Sequence, residues 1–103
     1  MKYKNLIFDL TRETYLSARV NFESWADDWN DNIPGNSARL AISMFEMLNS
    51  LYVCKDTVES CIEKTSDNSQ LVRVYLDNVN HWIDETKEKF EISHNIYLLK
   101  DTQ

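Results

Sequence analysis

Only one glycine and one proline occur in 103 residues, and they are neighbours at Pro34-Gly35. Average usage would supply about seven and five per hundred. Tight turns and left-handed backbone positions draw on these two residue types, so a chain this poor in them has few places to reverse direction. A few long helices satisfy that restriction, whereas a many-stranded sheet does not. The same scarcity removes glycine-rich phosphate loops and glycine-flanked nucleophile turns, with the enzyme classes built on them.

Two polar breaks divide the chain: Asn30 to Asn36 (N-D-N-I-P-G-N) and Thr65 to Ser69 (T-S-D-N-S). In the first segment Phe8, Thr11, Tyr15, Ala18, Phe22, Trp25 and Trp29 alternate steps of three and four, one seam of a helix in which only Thr11 is not apolar. The pattern predicts a helix over 9–31, capped by Asp9 or Thr11 and stopped by the Pro34-Gly35 turn. Leu6-Ile7-Phe8 ahead of it reads as helix or short strand. The second segment repeats the spacing at Leu40, Met44, Met47, Leu51, Cys54, Val58 and Cys61, with Ala41, Leu48 and Ile62 widening the face as suits a central helix. Asn36 or Ser37 is its expected cap, and Lys64 complements its C-terminal dipole.

The third segment, from about Gln70 to Phe90 or Glu91, carries Val72, Tyr75, Leu76, Val79, Trp82, Ile83, Thr86 and Phe90 on one face, with Asn68 or Ser69 as cap. Residues 92–100 read two ways. Ser93 can cap a short fourth helix, or Ile96-Tyr97-Leu98-Leu99 can form a strand, for which Leu6-Ile7-Phe8 is the sole candidate partner. The expected fold is all-α: one domain over 1–103, an up-down-up antiparallel bundle of three long helices, with the short C-terminal helix left open. A 43% hydrophobic fraction suits a folded core. Cys54 and Cys61, seven residues apart on one helix, stand about 10.5 Å from each other, too far for a disulfide, and are expected as reduced core residues.

Seventeen acids against 11 bases give a net charge of -6, which opposes direct nucleic-acid binding and attraction to anionic lipid while steering a basic protein toward the surface. No stretch approaches the roughly 20 apolar residues of a membrane span. Asp9 interrupts Leu6-Ile7-Phe8 before it reaches the length of an export segment. A cytoplasmic protein is the expectation.

No catalytic residue, metal site or cofactor is expected. Glu91-Ile-Ser-His94 forms one Glu-x-x-His unit, where di-metal bundles need two units and two further carboxylates. His81, one turn from Asp77 and from Glu85, suits hydrogen bonding at the solvent face. Cysteines on the apolar seam are suppressed as nucleophiles by burial, and acids on the outside of a bundle lack the cleft that shifts their pKa.

The acids themselves are the remaining lead. Between Arg19 and Arg39 no base occurs, while Glu23, Asp27 and Asp31 recur every four residues and Asp28 stands beside them. Each like-charged pair costs a few tenths of a kcal/mol, and anions toward a helix C-terminus oppose the dipole as well. A second row on the third helix comprises Asp77, Asp84, Glu88 and Glu91, with Glu85 beside it and Lys87 and Lys89 offsetting it in part. Trp25 is expected in the core. Trp29, next to the turn, is expected half exposed, and Tyr3, Tyr52 and Tyr97 are further candidates for exposure.

The partner-binding surface drawn from this pattern is Glu23, Asp27, Asp28, Trp29, Asp31, Asp84, Glu85, Glu88 and Glu91. The corresponding function is that of a small acidic protein that binds and neutralises a protein partner by occlusion, as immunity proteins, antitoxins and phage-type inhibitors do. The target would be basic: a nuclease or a nucleic-acid-binding protein. The alternative is a self-associating helical adaptor or regulatory subunit, a homodimer for instance, which the unbroken three-four spacing and the off-seam residues Phe45, Tyr52 and Ile92 would serve.

Overall fold

The computed structural model describes the backbone of residues 2–31, 37–64 and 69–101, and the side chains of residues 6–29, 38–39, 41–64 and 70–92. The expected turn at Pro34-Gly35, the caps at Asn36, Ser37, Asn68 and Ser69, and the side chains of Tyr3, Leu40, His94 and Tyr97 lie outside these described residues. Three helices account for the described backbone: α1 (Lys2–Asp31), α2 (Ser37–Lys64) and α3 (Ser69–Asp101).

The contacts between helices fix their directions. Along α1 from Thr14 to Trp25, the partner on α2 retreats from Cys54 to Ser43, so α1 and α2 are antiparallel. Along α1 from Tyr15 to Phe22, the stacking partner on α3 advances from Tyr75 to Trp82, so α1 and α3 run the same way. The result is an up-down-up bundle in which α2 packs most extensively on α3, next on α1, while α1 and α3 approach least closely along their backbones. It is a rod of 62 × 17 × 17 Å with a radius of gyration of 16.6 Å. A compact chain of this length would have about 13 Å.

Burial follows the three-four seams. Tyr15, Ala18 and Phe22 of α1 join Met44, Met47, Leu51, Cys54, Val58 and Cys61 of α2 and Val72, Tyr75, Val79 and Ile83 of α3 in one core. The two polar side chains buried among the described residues, Thr11 and Thr86, sit on the same seams. Each hydroxyl donates to the carbonyl four residues back, Thr11 Oγ1 to Ile7 O at 2.8 Å and Thr86 Oγ1 to Trp82 O at 2.7 Å. That bond satisfies the hydroxyl locally and leaves the methyl group to pack.

Where α1 meets α3, the contact is aromatic. Tyr15 stacks on Tyr75 at 4.1 Å between ring centroids and on Trp82 at 5.4 Å, and Phe22 stacks on Trp82 at 5.7 Å. The series continues along α1 from Phe22 to Trp25 (6.2 Å) and from Trp25 to Trp29 (5.0 Å). Two polar tips within it have partners: Asn78 Nδ2 donates to Tyr15 Oη at 2.8 Å, and Trp25 Nε1 donates to Ser43 Oγ at 2.9 Å.

Three expectations are corrected, and the open reading of Leu6-Ile7-Phe8 is resolved. Helix α1 begins at Lys2, so neither Asp9 nor Thr11 caps it. Phe8 lies one heptad before Tyr15 on the same seam and packs against the core, which carries the helix back past both residues. Leu6-Ile7-Phe8 is therefore helix, and no strand occurs among the described residues. Residues 92–100 continue α3 without a break; with no glycine or proline after Glu91, nothing there stops propagation, and Ser93 starts no fourth helix. Trp29 is buried at 4% exposure and not half exposed, because its ring packs on that of Trp25.

Replacing Trp82 by Ala removes the ring that bridges Tyr15 and Phe22. We expect a loss of about 3 to 5 kcal/mol in urea unfolding, a large share of a small domain's stability. Tyr15→Phe keeps both stacks and removes one hydrogen bond; its cost should be about 0.5 to 1.5 kcal/mol by the same measurement. Burial pushes the Cys54 thiol from 9.0 up to about 11. The folded chain thus holds its thiol proton where the unfolded chain has lost it. Stability carried by this group is full below pH 9 and falls as pH rises toward 11. Cys54→Ala should flatten that part of the pH profile, and the folded wild type should react slowly with thiol reagents at pH 8.

Candidate functional site

The first acidic row sits where α1 ends without a basic residue in its last turn. Its members differ in environment. Glu23 Oε1 accepts a hydrogen bond from Arg19 Nε at 3.1 Å in an ion pair one turn long, with both side chains more than half exposed. Such a pair contributes about 0.3 to 0.5 kcal/mol and offsets the charge of Glu23 locally. Asp27 and Asp28 are exposed, with no ion pair to either among the described residues. The Asp31 side chain lies outside the described residues. Neither tryptophan serves as an anchor for an incoming surface: Trp29 is buried, and Trp25 is half buried with its indole N–H committed to Ser43.

On α3, Asp77, Asp84, Glu88 and Glu91 are exposed and Glu85 is half buried. Lys87 interrupts this row. Its ammonium stands 5.8 Å over the Tyr52 ring of α2. Its interaction with the Tyr52 side chain, and then the charge of nearby Asp84, hold Lys87 above the usual lysine range. Asp84 therefore belongs to the seam between α2 and α3, while Glu23 and Asp27 are carried by α1. Because α1 and α3 run parallel with Phe22 stacked on Trp82, both rows occupy the same half of the rod. They are carried by two different helices.

The larger feature, of which the sequence reading named Phe45, Tyr52 and Ile92, is apolar. Eleven large hydrophobic side chains are exposed among the described residues, among them Phe45 at 63% and Leu10, Ile42 and Val53 at 57% each. The pairs Leu6/Leu10 and Leu16/Val20, each one helical turn apart on α1 and off its core seam, were a signal for this in the sequence. Two hollows lie along the outer seam between α1 and α2. One, of about 430 Å³, is lined by Glu13, Thr14, Ser17, Asn21, Ser50 and Val53 among others. The other, of about 340 Å³, is lined by Leu10, Thr11, Asp56, Thr57, Ser60 and Lys64 among others. No α3 residue contributes to either, so together they make one open groove whose floor is mostly small side chains.

Among the described residues no group of His, Cys, Asp and Glu is placed to hold a metal ion, and no helix is long and apolar enough to cross a membrane. His81 is exposed, and Cys54 and Cys61 are buried and not joined in a disulfide. Compared with known proteins, the chain matches no family model, no curated protein and no solved structure.

Proposed function

We propose that this chain is a protein-binding protein that neutralises a basic partner by occlusion, in the manner of immunity proteins, antitoxins and phage-type inhibitors of nucleases or nucleic-acid-binding proteins. The observation that carries the reading is the exposure of eleven large apolar side chains on a rod with a net charge of -6. Exposed apolar side chains mark a contact surface where they adjoin, and Leu10 and Val53 stand along the same α1–α2 seam. Surplus acid, unpaired at Asp27 and Asp28, supplies long-range attraction toward a positive surface. The apolar side chains then provide the burial that holds the complex. The mechanism is coverage of the partner's surface and makes no covalent change.

Self-association is the second reading. It is favoured by Phe45, which projects from α2 off the core seam and is the kind of side chain a homodimer would cover. Salt separates the two, because an electrostatic contact weakens as ionic strength rises and an apolar one does not.

The test is affinity capture from a lysate of the source cell at low and high salt, with wild-type protein and with Asp27→Lys/Asp28→Lys. A stoichiometric basic partner, lost at high salt and lost with the double variant, is the expected result. Retention of that partner by the variant excludes Asp27 and Asp28 from the contact, and recovery of only the chain's own copies favours self-association. Both substitutions remove anions that oppose the α1 dipole. The variant should therefore keep its helical circular dichroism and gain a few tenths of a kcal/mol of stability.

A further inference from the structure

We infer that the groove between α1 and α2 is a docking site for a basic amphipathic helix of the partner. The inference rests on the reading of the chain as a protein-binding protein and names the surface and the kind of segment that surface takes. The hollows span Ile7 to Asn21 of α1, which is about 21 Å at 1.5 Å per residue, the length of a four-turn helix. Helical spacing carries the same line onward through Ser24 and Asp28 of α1 and through Glu46 and Ile42 of α2, all of them exposed. The floor is shallow in side chains: Thr14, Ser17, Ala18, Ser50 and Cys54 present little bulk. Leu10, Val53 and Ile42 stand along it as exposed apolar contacts.

Charge selects the occupant. Four acids border the groove and its continuation, Glu13 and Asp28 from α1 and Glu46 and Asp56 from α2, against Arg39 and Lys64 toward its two ends. A second copy would bring the same four carboxylates against this face, and an anionic lipid surface would be repelled by them. A helix with an apolar stripe flanked by Lys and Arg satisfies both features: its stripe covers Leu10 and Val53, and its cations meet Glu13 and Asp56 near the middle.

The probe is an 18-residue Leu/Lys amphipathic peptide, fluorescently labelled. Its controls are a peptide of the same composition with the stripe scrambled and a Leu/Glu counterpart. In fluorescence anisotropy at low salt we expect the amphipathic cationic peptide to bind at least tenfold more tightly than either control. Glu13→Lys/Asp56→Lys and, separately, Val53→Asp should each weaken it tenfold or more. All three positions are exposed, so circular dichroism should be unchanged. Amide chemical shifts of the labelled protein should move at Leu10, Glu13, Ser17, Val53 and Asp56. Equal binding of the scrambled peptide, shifts centred on Asp84 to Glu91, no binding of the cationic peptide, or affinity indifferent to the groove substitutions would each overturn the inference. A lysate partner held equally by wild type and by Glu13→Lys/Asp56→Lys overturns the groove alone. The reading of the chain as protein-binding fails separately, on the absence of any stoichiometric partner.

Discussion

The stack of Tyr75, Tyr15, Trp82 and Phe22 is the interaction on which the bundle depends, because it joins α1 to α3 where their backbones stay apart. With all three helices in place Leu51, Val58, Val72 and Val79 are completely buried, whereas a hairpin of α2 and α3 alone would expose the side on which α1 lies. Aliphatic side chains would leave a void across the wider α1–α3 separation; rings span it. Each stacked pair contributes about 0.5 to 1.5 kcal/mol beyond its burial. The Asn78–Tyr15 hydrogen bond adds direction to the contact, since a ring slid one turn along α3 would bury the Tyr15 hydroxyl without its partner. Thr11 and Thr86 obey the same restriction from within their own helices, each with its hydroxyl spent on the preceding turn.

This dependence explains how much of the fold was legible in the sequence. Steps of three and four from Phe8 to Trp29 and from Met44 to Cys61 were enough to place the core seams, because a long helix must bury its stripe and the chain has no other turn-rich stretch in which to hide it. The ends were less legible. Asp9 and Thr11 are good caps by residue type, yet a cap signal is worth about 1 kcal/mol and burial of Ile7 and Phe8 outweighs it. After Glu91 the same logic runs in reverse. Ser93 looks like a cap, but a start signal interrupts nothing when the helix in progress meets neither glycine nor proline.

The candidate site was legible in its charges and not in its geometry. Spacing put Glu23 and Asp27 on one side of a helix, and it could not report that Arg19, just outside the acidic run, reaches forward to Glu23. It put Trp29 near a turn, where exposure is common, and could not weigh the ring of Trp25 that covers it. For α3 it identified Lys87 as an offsetting charge, and the structure shows this lysine held over Tyr52 of α2 beside Asp84. In each case the missing information is a contact between side chains whose sequence separation gives no hint of their distance, or whose competition with solvent depends on a neighbour.

The groove follows from an asymmetry in α1. One flank carries the rings that span the distance to α3; the other flank carries Thr14 and Ala18 and meets Cys54 and Cys61 of α2. There the helices approach so closely that Cys54 Sγ lies 3.9 Å from the Thr14 backbone carbonyl. Side chains small enough to permit that approach are too small to fill the furrow on its outer side, so the seam stays open along the whole length of Ile7 to Asn21. A rod this narrow has a thin core and a high ratio of surface to volume, and α3 lines neither hollow of the furrow. The exposed apolar residues beside it and the acids that flank it are thus placed by the same packing that holds α1 on the bundle. A partner helix seated there would complete a four-helix arrangement, with its cations supplying the charges that this face lacks.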